Sequence, residues 1–142
     1  MSAMTEMLRT HPQKPTQHFD EVAAVIAACF ECEQITITCA DACLAEENVT
    51  PFRQCIRLNL DCADICSATG RMTARQARPE PGLWRSLLEA CIQACRSSAA
   101  ECAKHEKEHE HCRICKEACE RCEQACIQAL SAMPAGGAES RH

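Results

Sequence analysis

Fifteen cysteines dominate the chemistry that this chain of 142 residues can perform. The clearest pattern runs from Cys112 to Cys126, where the cysteines follow one another at steps of 3, 4, 3 and 4 residues. Such steps place every sulfur on one stripe of an α-helix, while Arg, Lys, Glu and Gln occupy the outward positions. This helix would therefore present thiols where the inner face of an ordinary bundle helix carries Leu and Val.

Thiolate sulfur is a soft ligand that selects Cu(I), Zn(II) or iron–sulfur clusters. Zinc sites and iron–sulfur clusters each need four ligands around one centre, whereas these cysteines follow continuous stripes with no self-contained groups of four. Cu(I) accepts two or three sulfurs, and one monovalent ion per thiolate leaves a buried core neutral, so we expect at least about one Cu(I) per cysteine. The helical pairs that suit it best are Cys39/Cys43, Cys62/Cys66, Cys91/Cys95 and Cys115/Cys119.

A disulfide scaffold is the other interpretation of so many cysteines, and the sequence argues against it. Neighbours on a helix keep their Cβ atoms roughly 5–6 Å apart, while a disulfide needs about 3.5–4.5 Å. The number of cysteines is odd. The first residues show no apolar core of a signal peptide, so we expect a cytoplasmic protein with reduced thiols.

The remaining composition excludes several classes of function. The net charge is −5, with acidic and basic residues interspersed, and no basic stripe indicates binding to nucleic acid. No apolar run reaches membrane-spanning length, so we expect no membrane association. The chain shows no Ser/His/Asp set, phosphate loop or thioredoxin-like βαβ unit, and we therefore expect no enzymatic activity.

Proline and glycine divide the chain into the elements that must position the thiols. We expect an N-terminal arm over residues 1–15 with a short helix, a bundle of four helices over 16–133, and a flexible tail over 134–142. Short connections favour an all-α, antiparallel, up-down-up-down four-helix bundle. The expected boundaries are a start at Thr16 and an end near Asn48 for the first long helix, a start at Thr50 and Pro51 for the second, a loop at 79–82 before the third, and a turn at 107–111 before the fourth.

This topology predicts two different ends for the bundle. At one end, His105 and His109 continue the stripe of Cys102 and meet His111, forming a histidine mouth with Cys43, Cys55 and Cys112. The opposite end becomes an apolar plug, formed by Val22, Ile26, Met72, Leu83, Leu87, Leu88, Leu130 and Met133.

For three further sets of residues, the sequence leaves two interpretations open. Asn59 faces inward and is either an oxygen ligand to metal or a buried hydrogen-bonding group. Two apolar lines beside the stripes form either a subunit interface or cover for the core; they are Phe30/Ile37/Leu44 and Phe52/Ile56/Leu60. Met1, Met4 and Met7 could offer thioethers to copper, but apolar cover explains them better.

The cysteine-lined helices, the segment Cys62-Ala-Asp-Ile-Cys66 and the His105-x3-His109-x-His111-Cys112 cluster resemble the cytosolic copper storage proteins. The resemblance covers residues 16–133. It implies a bundle that holds many Cu(I) ions along its axis, a homotetramer, and a histidine-lined end through which copper enters. The residues to which it extends a role in metal binding are Cys29, Cys32, Cys39, Cys43, Cys55, Cys62, Cys66, Cys91, Cys95, Cys102, Cys112, Cys115, Cys119, Cys122, Cys126, His105, His109 and His111.

The leading hypothesis is thus a cytosolic protein that stores and detoxifies Cu(I), binding multiple ions per chain. A copper-donating chaperone is a candidate partner. Two alternatives remain open at this point, namely a zinc- or cadmium-buffering protein of metallothionein type and an iron–sulfur redox protein.

Overall fold

A computed structural model describes residues 2–133 of the chain. This part folds into five α-helices and one 3₁₀ turn: α1 (Ala3–Thr10), α2 (Phe19–Leu44), the 3₁₀ turn (Thr50–Phe52), α3 (Arg53–Ala74), α4 (Pro81–Ala103) and α5 (Glu110–Ala132). Helix α2 packs against α3 and α5, and α4 packs against the same two helices, so the four long helices form a closed ring. The structure confirms the predicted all-α four-helix bundle with a short N-terminal helix. The predicted tail over 134–142 lies outside the described residues.

All fifteen cysteines lie on the inner faces of the four long helices, and every one of them is buried and free of disulfides. The period of the stripes predicted this arrangement correctly. A smaller set of polar side chains shares the interior with the sulfurs; its members are Thr36, Asn59, Thr69, Thr73 and Ser98.

The plug at one end of the bundle contains a residue that the sequence did not assign to it. Leu8 of α1 is only 2% exposed and packs with Val22 and Ile26 of α2. Trp84 packs beside this cluster, and its indole Nε1–H donates a hydrogen bond of 2.7 Å to Thr73 Oγ1. Leu83 is 49% exposed and stays outside the core, contrary to the prediction. The N-terminal arm therefore covers this end of the bundle.

The ends of the first long helix differ from the prediction. Helix α2 begins at Phe19 and not at Thr16, and its N-cap is His18, which adopts the left-handed conformation with φ of 59° and makes no side-chain cap. The helix ends at Leu44, four residues before Asn48. Both boundaries depend on local capping energies of about 1 kcal/mol, which are small beside the burial of the inner stripe.

The predicted starts of the next two helices were wrong by two or three residues. Thr50 is not an N-cap but opens the 3₁₀ turn with Pro51, and α3 starts only at Arg53. Pro81 occupies the first turn of α4, where its missing N–H costs nothing, and Glu80 is the N-cap that accepts a 2.9 Å bond from Gly82 N–H. The predicted loop at 79–82 is therefore helical in its second half.

The connection between α4 and α5 lies earlier than predicted. Helix α4 ends at Ala103 and α5 begins at Glu110, so the turn occupies 104–109 and not 107–111. His105 and His109 consequently lie on the connection. The prediction that they extend the helical stripe of Cys102 is therefore wrong. The turn nevertheless returns both side chains to the same end of the bundle.

Helix α2 is long and apolar enough to cross a membrane, judged by length and composition alone. This corrects the expectation that no apolar run in the chain reaches that length. Much of the apolar character comes from Val25, Cys29 and Cys32 on the inner stripe, which lie in the bundle core. The core helix of a bundle passes the same test, so length and composition alone do not assign α2 to a membrane.

Gly70 allows α2 and α3 to approach each other closely. A Cβ atom added at this position would lie 3.1 Å from Cys29 Cβ, closer than such atoms normally come. A glycine inside a helix costs about 1 kcal/mol relative to alanine. We infer that close packing beside Cys29 is what the glycine makes possible.

We expect Gly70→Val to lower the free energy of unfolding of the metal-free protein by about 1–3 kcal/mol, because the added methyl groups force the two helices apart. Urea unfolding followed by circular dichroism measures this change. Asp64→Val is the matched control, since it places the same side chain at an exposed position of α3 and should change stability by less than about 0.5 kcal/mol. An equal loss in both variants would show that Gly70 has no packing role.

Candidate metal centre

The bundle brings sulfur atoms of facing helices to nearly uniform distances. The Sγ–Sγ distance is 3.8 Å for Cys29 and Cys122, and also for Cys66 and Cys91. A disulfide requires about 2.0 Å, while two sulfurs that share one metal ion lie up to about 4.6 Å apart when each metal–sulfur bond is ~2.3 Å. The spacing therefore fits thiols bridged by metal and does not fit disulfides.

Toward the plug, the sulfurs form overlapping groups. Two groups of four have all their Sγ atoms within 4.8 Å of one another, and both include Cys66 and Cys122. A third group contains Cys32, Cys62 and Cys119. The members of the two fourfold groups are Cys29, Cys66, Cys91 and Cys122 in one and Cys32, Cys66, Cys95 and Cys122 in the other. Because the groups share sulfurs, they form a continuous network and not a set of separate tetrahedral sites.

A second set of sulfurs lies toward the connection between α4 and α5. Cys39 belongs to two groups here, one with Cys102 and Cys115 and one with Cys43, Cys112 and His111. Cys55 is close by, with its Sγ 3.8 Å from that of Cys102. This end of the bundle thus places a nitrogen donor beside the sulfur atoms.

Asn59 and Ser98 form a polar contact between the two sets of sulfurs. Asn59 is fully buried, and its Oδ1 accepts bonds from Ser98 Oγ at 2.7 Å and from Cys115 Sγ at 3.4 Å. Its Nδ2 donates to Cys55 Sγ at 3.7 Å, and Ser98 Oγ accepts from Cys119 Sγ at 3.5 Å. These contacts support the hydrogen-bonding interpretation of Asn59. Its predicted role as a metal ligand stays a prediction.

The three predicted histidines gather at one end, but their contacts differ. His111 directs Nδ1 toward Cys39 Sγ at 3.4 Å and Cys112 Sγ at 3.6 Å. His109 places Nδ1 3.1 Å from a Glu46 oxygen, and its ring meets Phe52 edge-on at 4.9 Å. His105 also packs against Phe52, with ring centroids 4.7 Å apart. Among these contacts, His111 is the one that adds nitrogen directly to the thiols.

A cavity of about 650 Å³ lies in front of these histidines, and its walls include Glu46, Phe52, Lys104, His105 and His109. It brings solvent to the imidazoles of His105 and His109 at this end. The sequence did not predict the two carboxylates that contact these imidazoles, Glu46 and Glu101. Glu101 Oε2 lies 3.6 Å from His105 Nε2. Phe52 was predicted to lie on a flanking apolar line, but its ring is buried against two imidazoles. Periodicity within one helix carries no signal for such contacts between distant segments.

Burial favours the protonated form of two thiols at the histidine end when metal is absent. Desolvation raises the pKa of the Cys43 thiol to about 12, and it also raises the pKa of Cys112. Burial by itself would lower the pKa of His111, but its hydrogen bonds to Cys39 and Glu46 outweigh this effect and raise it. At neutral pH the thiols of Cys43 and Cys112 are therefore protonated and act as small apolar side chains.

The copper storage protein family model, Csp, matches residues 18–131 of this chain. The chain belongs to the copper storage protein family. No curated protein matches it.

Solved structures of another member of the family share the fold. The chain is 39% identical to the copper storage protein Ccsp of Streptomyces lividans loaded with 10 copper equivalents; the match covers 92% of this chain and all of that one, with a TM-score of 0.89. It is 42% identical to a cytosolic copper storage protein from Streptomyces lividans with five coppers, where the match covers 81% of this chain and 96% of that one, with a TM-score of 0.79.

We expect the metal-free form of this family member to lose stability at alkaline pH. The folded-state pKa of Cys43 lies near 12 against an ordinary value of 9.0, so the fold favours the neutral thiol. That contribution is fully present below about pH 9 and is lost as the pH rises toward 12. Thermal unfolding of the reduced protein at about pH 8 and pH 10 measures it, with a lower Tm expected at the higher pH.

The control for this experiment is the double variant Cys43→Ala/Cys112→Ala. It lacks two of the thiols with raised pKa and should lose less stability between the two pH values than the unmodified protein. An equal Tm at both pH values in the unmodified protein would contradict the assignment of buried, neutral thiols.

Proposed function

We propose that this protein stores Cu(I) in the cytoplasm and so limits the concentration of free copper, binding many ions per chain on thiolates inside its bundle. The observation that carries the proposal is the burial of all fifteen cysteines, most of which form groups whose donor atoms lie within 4.8 Å of one another. A shared network of soft sulfur donors suits an ion that accepts low coordination numbers. Membership of the copper storage family supports the same conclusion.

Charge balance explains how such a core accepts metal. A buried thiolate without a counter-charge would cost many kcal/mol, and the thiols therefore keep their protons until copper arrives. Each Cu(I) that binds replaces a proton with another single positive charge, so the core remains neutral throughout loading. The bundle consequently needs no metal in order to fold, unlike a zinc finger.

In this proposal the fifteen cysteines are the copper ligands, and His111 adds a terminal nitrogen through Nδ1. His105 and His109 line the path by which copper enters from the cavity at this end. Asn59 holds neighbouring thiols by hydrogen bonds. No residue is assigned a catalytic step, and a copper-donating chaperone would reach the ligands through the same cavity.

The two alternatives are less well supported by the arrangement of the sulfurs. Zinc or cadmium storage and iron–sulfur chemistry both favour separate sets of four thiolates, whereas the two fourfold groups here share Cys66 and Cys122. An ion bound by all four thiolates of one group would therefore leave the other group without two of its four sulfurs.

We expect titration of the reduced, metal-free protein with Cu(I) against a competing chelator to give at least about fifteen bound ions, one per thiol. In a weakly buffered solution, binding of the first copper ions should release about one proton per ion. The helical circular dichroism signal should stay unchanged, because the bundle is already formed.

The variant Cys66→Ala/Cys122→Ala tests the shared network, since it breaks both fourfold groups at once and should lower the capacity for copper. The variant Ser67→Ala/Glu123→Ala provides the matched control, because it changes the residue after each cysteine and should leave the capacity intact. Saturation at four ions or fewer, or displacement of Cu(I) by Zn(II), would contradict copper storage.

The outward face of α2 supports a second part of the proposal, assembly into a homotetramer. Phe30, Ile37 and Leu44 follow one another at seven-residue steps and are 70%, 41% and 56% exposed. Leu60 of α3 is 43% exposed as well. A seven-residue repeat of apolar side chains suits pairing between helices, so we propose that this face contacts another copy of the chain.

We expect Phe30→Asp/Ile37→Asp to shift the protein from an oligomer to monomers, because two carboxylates would be buried in the contact. Sedimentation velocity measures the change, and circular dichroism checks that each bundle remains folded. Ile114→Asp is the control, as Ile114 is 43% exposed on α5 and lies outside this line. An unchanged oligomer in the double variant would place the interface elsewhere.

A further inference from the structure

One carboxylate oxygen contacts two imidazoles at the histidine end of the bundle. Glu46 lies just after the end of α2, and its Oε2 is 2.9 Å from His111 Nε2 and 3.1 Å from His109 Nδ1. An ionised carboxylate accepts hydrogen bonds and donates none, so the proton in each contact belongs to the imidazole. Glu46 therefore stabilises a proton on Nε2 of one histidine and on Nδ1 of the other.

This contact has a direct consequence for the ligand atom of His111. With the proton on Nε2, the lone pair of the neutral ring lies on Nδ1. That atom is the one placed 3.4 Å from Cys39 Sγ and 3.6 Å from Cys112 Sγ. Metal-binding histidines commonly donate their second N–H to a carboxylate, which fixes both the tautomer and the orientation of the ring.

The same oxygen favours the other tautomer in His109. A proton held on Nδ1 leaves Nε2 as the atom with a lone pair, and the ring is held further by its edge-on contact with Phe52. The two imidazoles lie 5.9 Å apart, centre to centre. Two neighbouring histidines are thereby prepared to bind metal through different ring nitrogens.

We propose that Glu46 is a positioning residue for copper binding: it holds His111 as the Nε2–H tautomer and His109 as the Nδ1–H tautomer, which turns His111 Nδ1 toward Cys39 and Cys112. This inference rests on the proposed copper function. Glu46 itself does not ligate Cu(I), because a carboxylate is a hard donor and the neighbouring ligands are soft.

The first test uses the metal-free, reduced protein and needs no copper. At a pH at which both rings are neutral, we expect ¹⁵N chemical shifts of the histidine side chains to show opposite tautomers for His111 and His109 in the unmodified protein. In Glu46→Ala, both rings should show mixed tautomers. Glu46→Gln keeps an oxygen acceptor without the charge, so it should retain the His111 tautomer at least in part. Wild-type tautomers in Glu46→Ala would overturn the proposal.

The second test measures the affinity for the first equivalent of Cu(I) against a chelator. Loss of a carboxylate partner of a ligating histidine typically weakens metal binding by about 10–100-fold, and we expect Glu46→Ala to fall in this range while the total capacity stays unchanged. Glu47→Ala is the matched control, since it removes the adjacent, exposed carboxylate and should bind like the unmodified protein.

The two tests separate this inference from the storage function. If the unmodified protein and Glu47→Ala both load copper and Glu46→Ala binds the first ion equally well, positioning by Glu46 is wrong and storage stands. If the unmodified protein itself binds little copper, the storage function fails. Weaker binding in Glu46→Ala with unchanged tautomers would assign Glu46 an electrostatic effect and overturn its positioning role.

Discussion

A sulfur atom buried in this bundle can be neutral in only two ways, with a proton or with a monovalent metal ion. The fold depends on this choice, because the same side chains form the hydrophobic core and the candidate ligand set. As protonated thiols they pack as small apolar groups, and as thiolates they require a cation at almost every sulfur. Metal loading is then an exchange of charge within a preformed core, and the helices need not rearrange.

The use of cysteine as core material limits how much apolar volume the centre of the bundle can bury, and the plug provides larger side chains at one end. Leu8, Val22, Ile26 and Trp84 meet there, with Leu8 contributed by α1. The opposite end has imidazoles and carboxylates, with a cavity beside them. The two ends of the bundle therefore differ in chemistry, and the nitrogen donor beside the sulfurs, His111 Nδ1, lies at the histidine end.

The positions of the sulfurs could be predicted from the sequence because one period of about 3.6 residues governs every helix. Each cysteine is buried as that period requires. The same rule failed at His105 and His109, since a stripe can be extended on paper past the point where the helix ends at Ala103. Helix ends depend on weak local interactions, and nothing in the pattern itself marks them.

Contacts between distant segments set a second limit on what could be predicted. Glu46 and His111 are separated by 65 residues, and only the antiparallel return of the chain brings them together. Leu8 lies outside the four periodic helices, and its packing on Val22 and Ile26 likewise has no signal in their stripes. The topology shows which ends of neighbouring helices meet, and the histidine mouth could be predicted for this reason. The particular carboxylate that contacts a particular imidazole depends on the path of short connections that have no periodicity.

The donor atoms at the histidine end become softer from solvent toward the core. The carboxylate of Glu46 comes first, the imidazole of His111 lies behind it, and the sulfurs of Cys39 and Cys112 lie beyond the ring. Hardness of the donor falls along this order, so Cu(I) gains affinity at each step inward. A hard carboxylate can therefore hold the imidazoles by hydrogen bonds without retaining the ion, whereas a thiolate in its place would compete for the metal. Polar residues at the mouth and soft residues inside are therefore two parts of one arrangement, in which the carboxylate that would orient the imidazoles is chemically distinct from the sulfurs that would bind the metal.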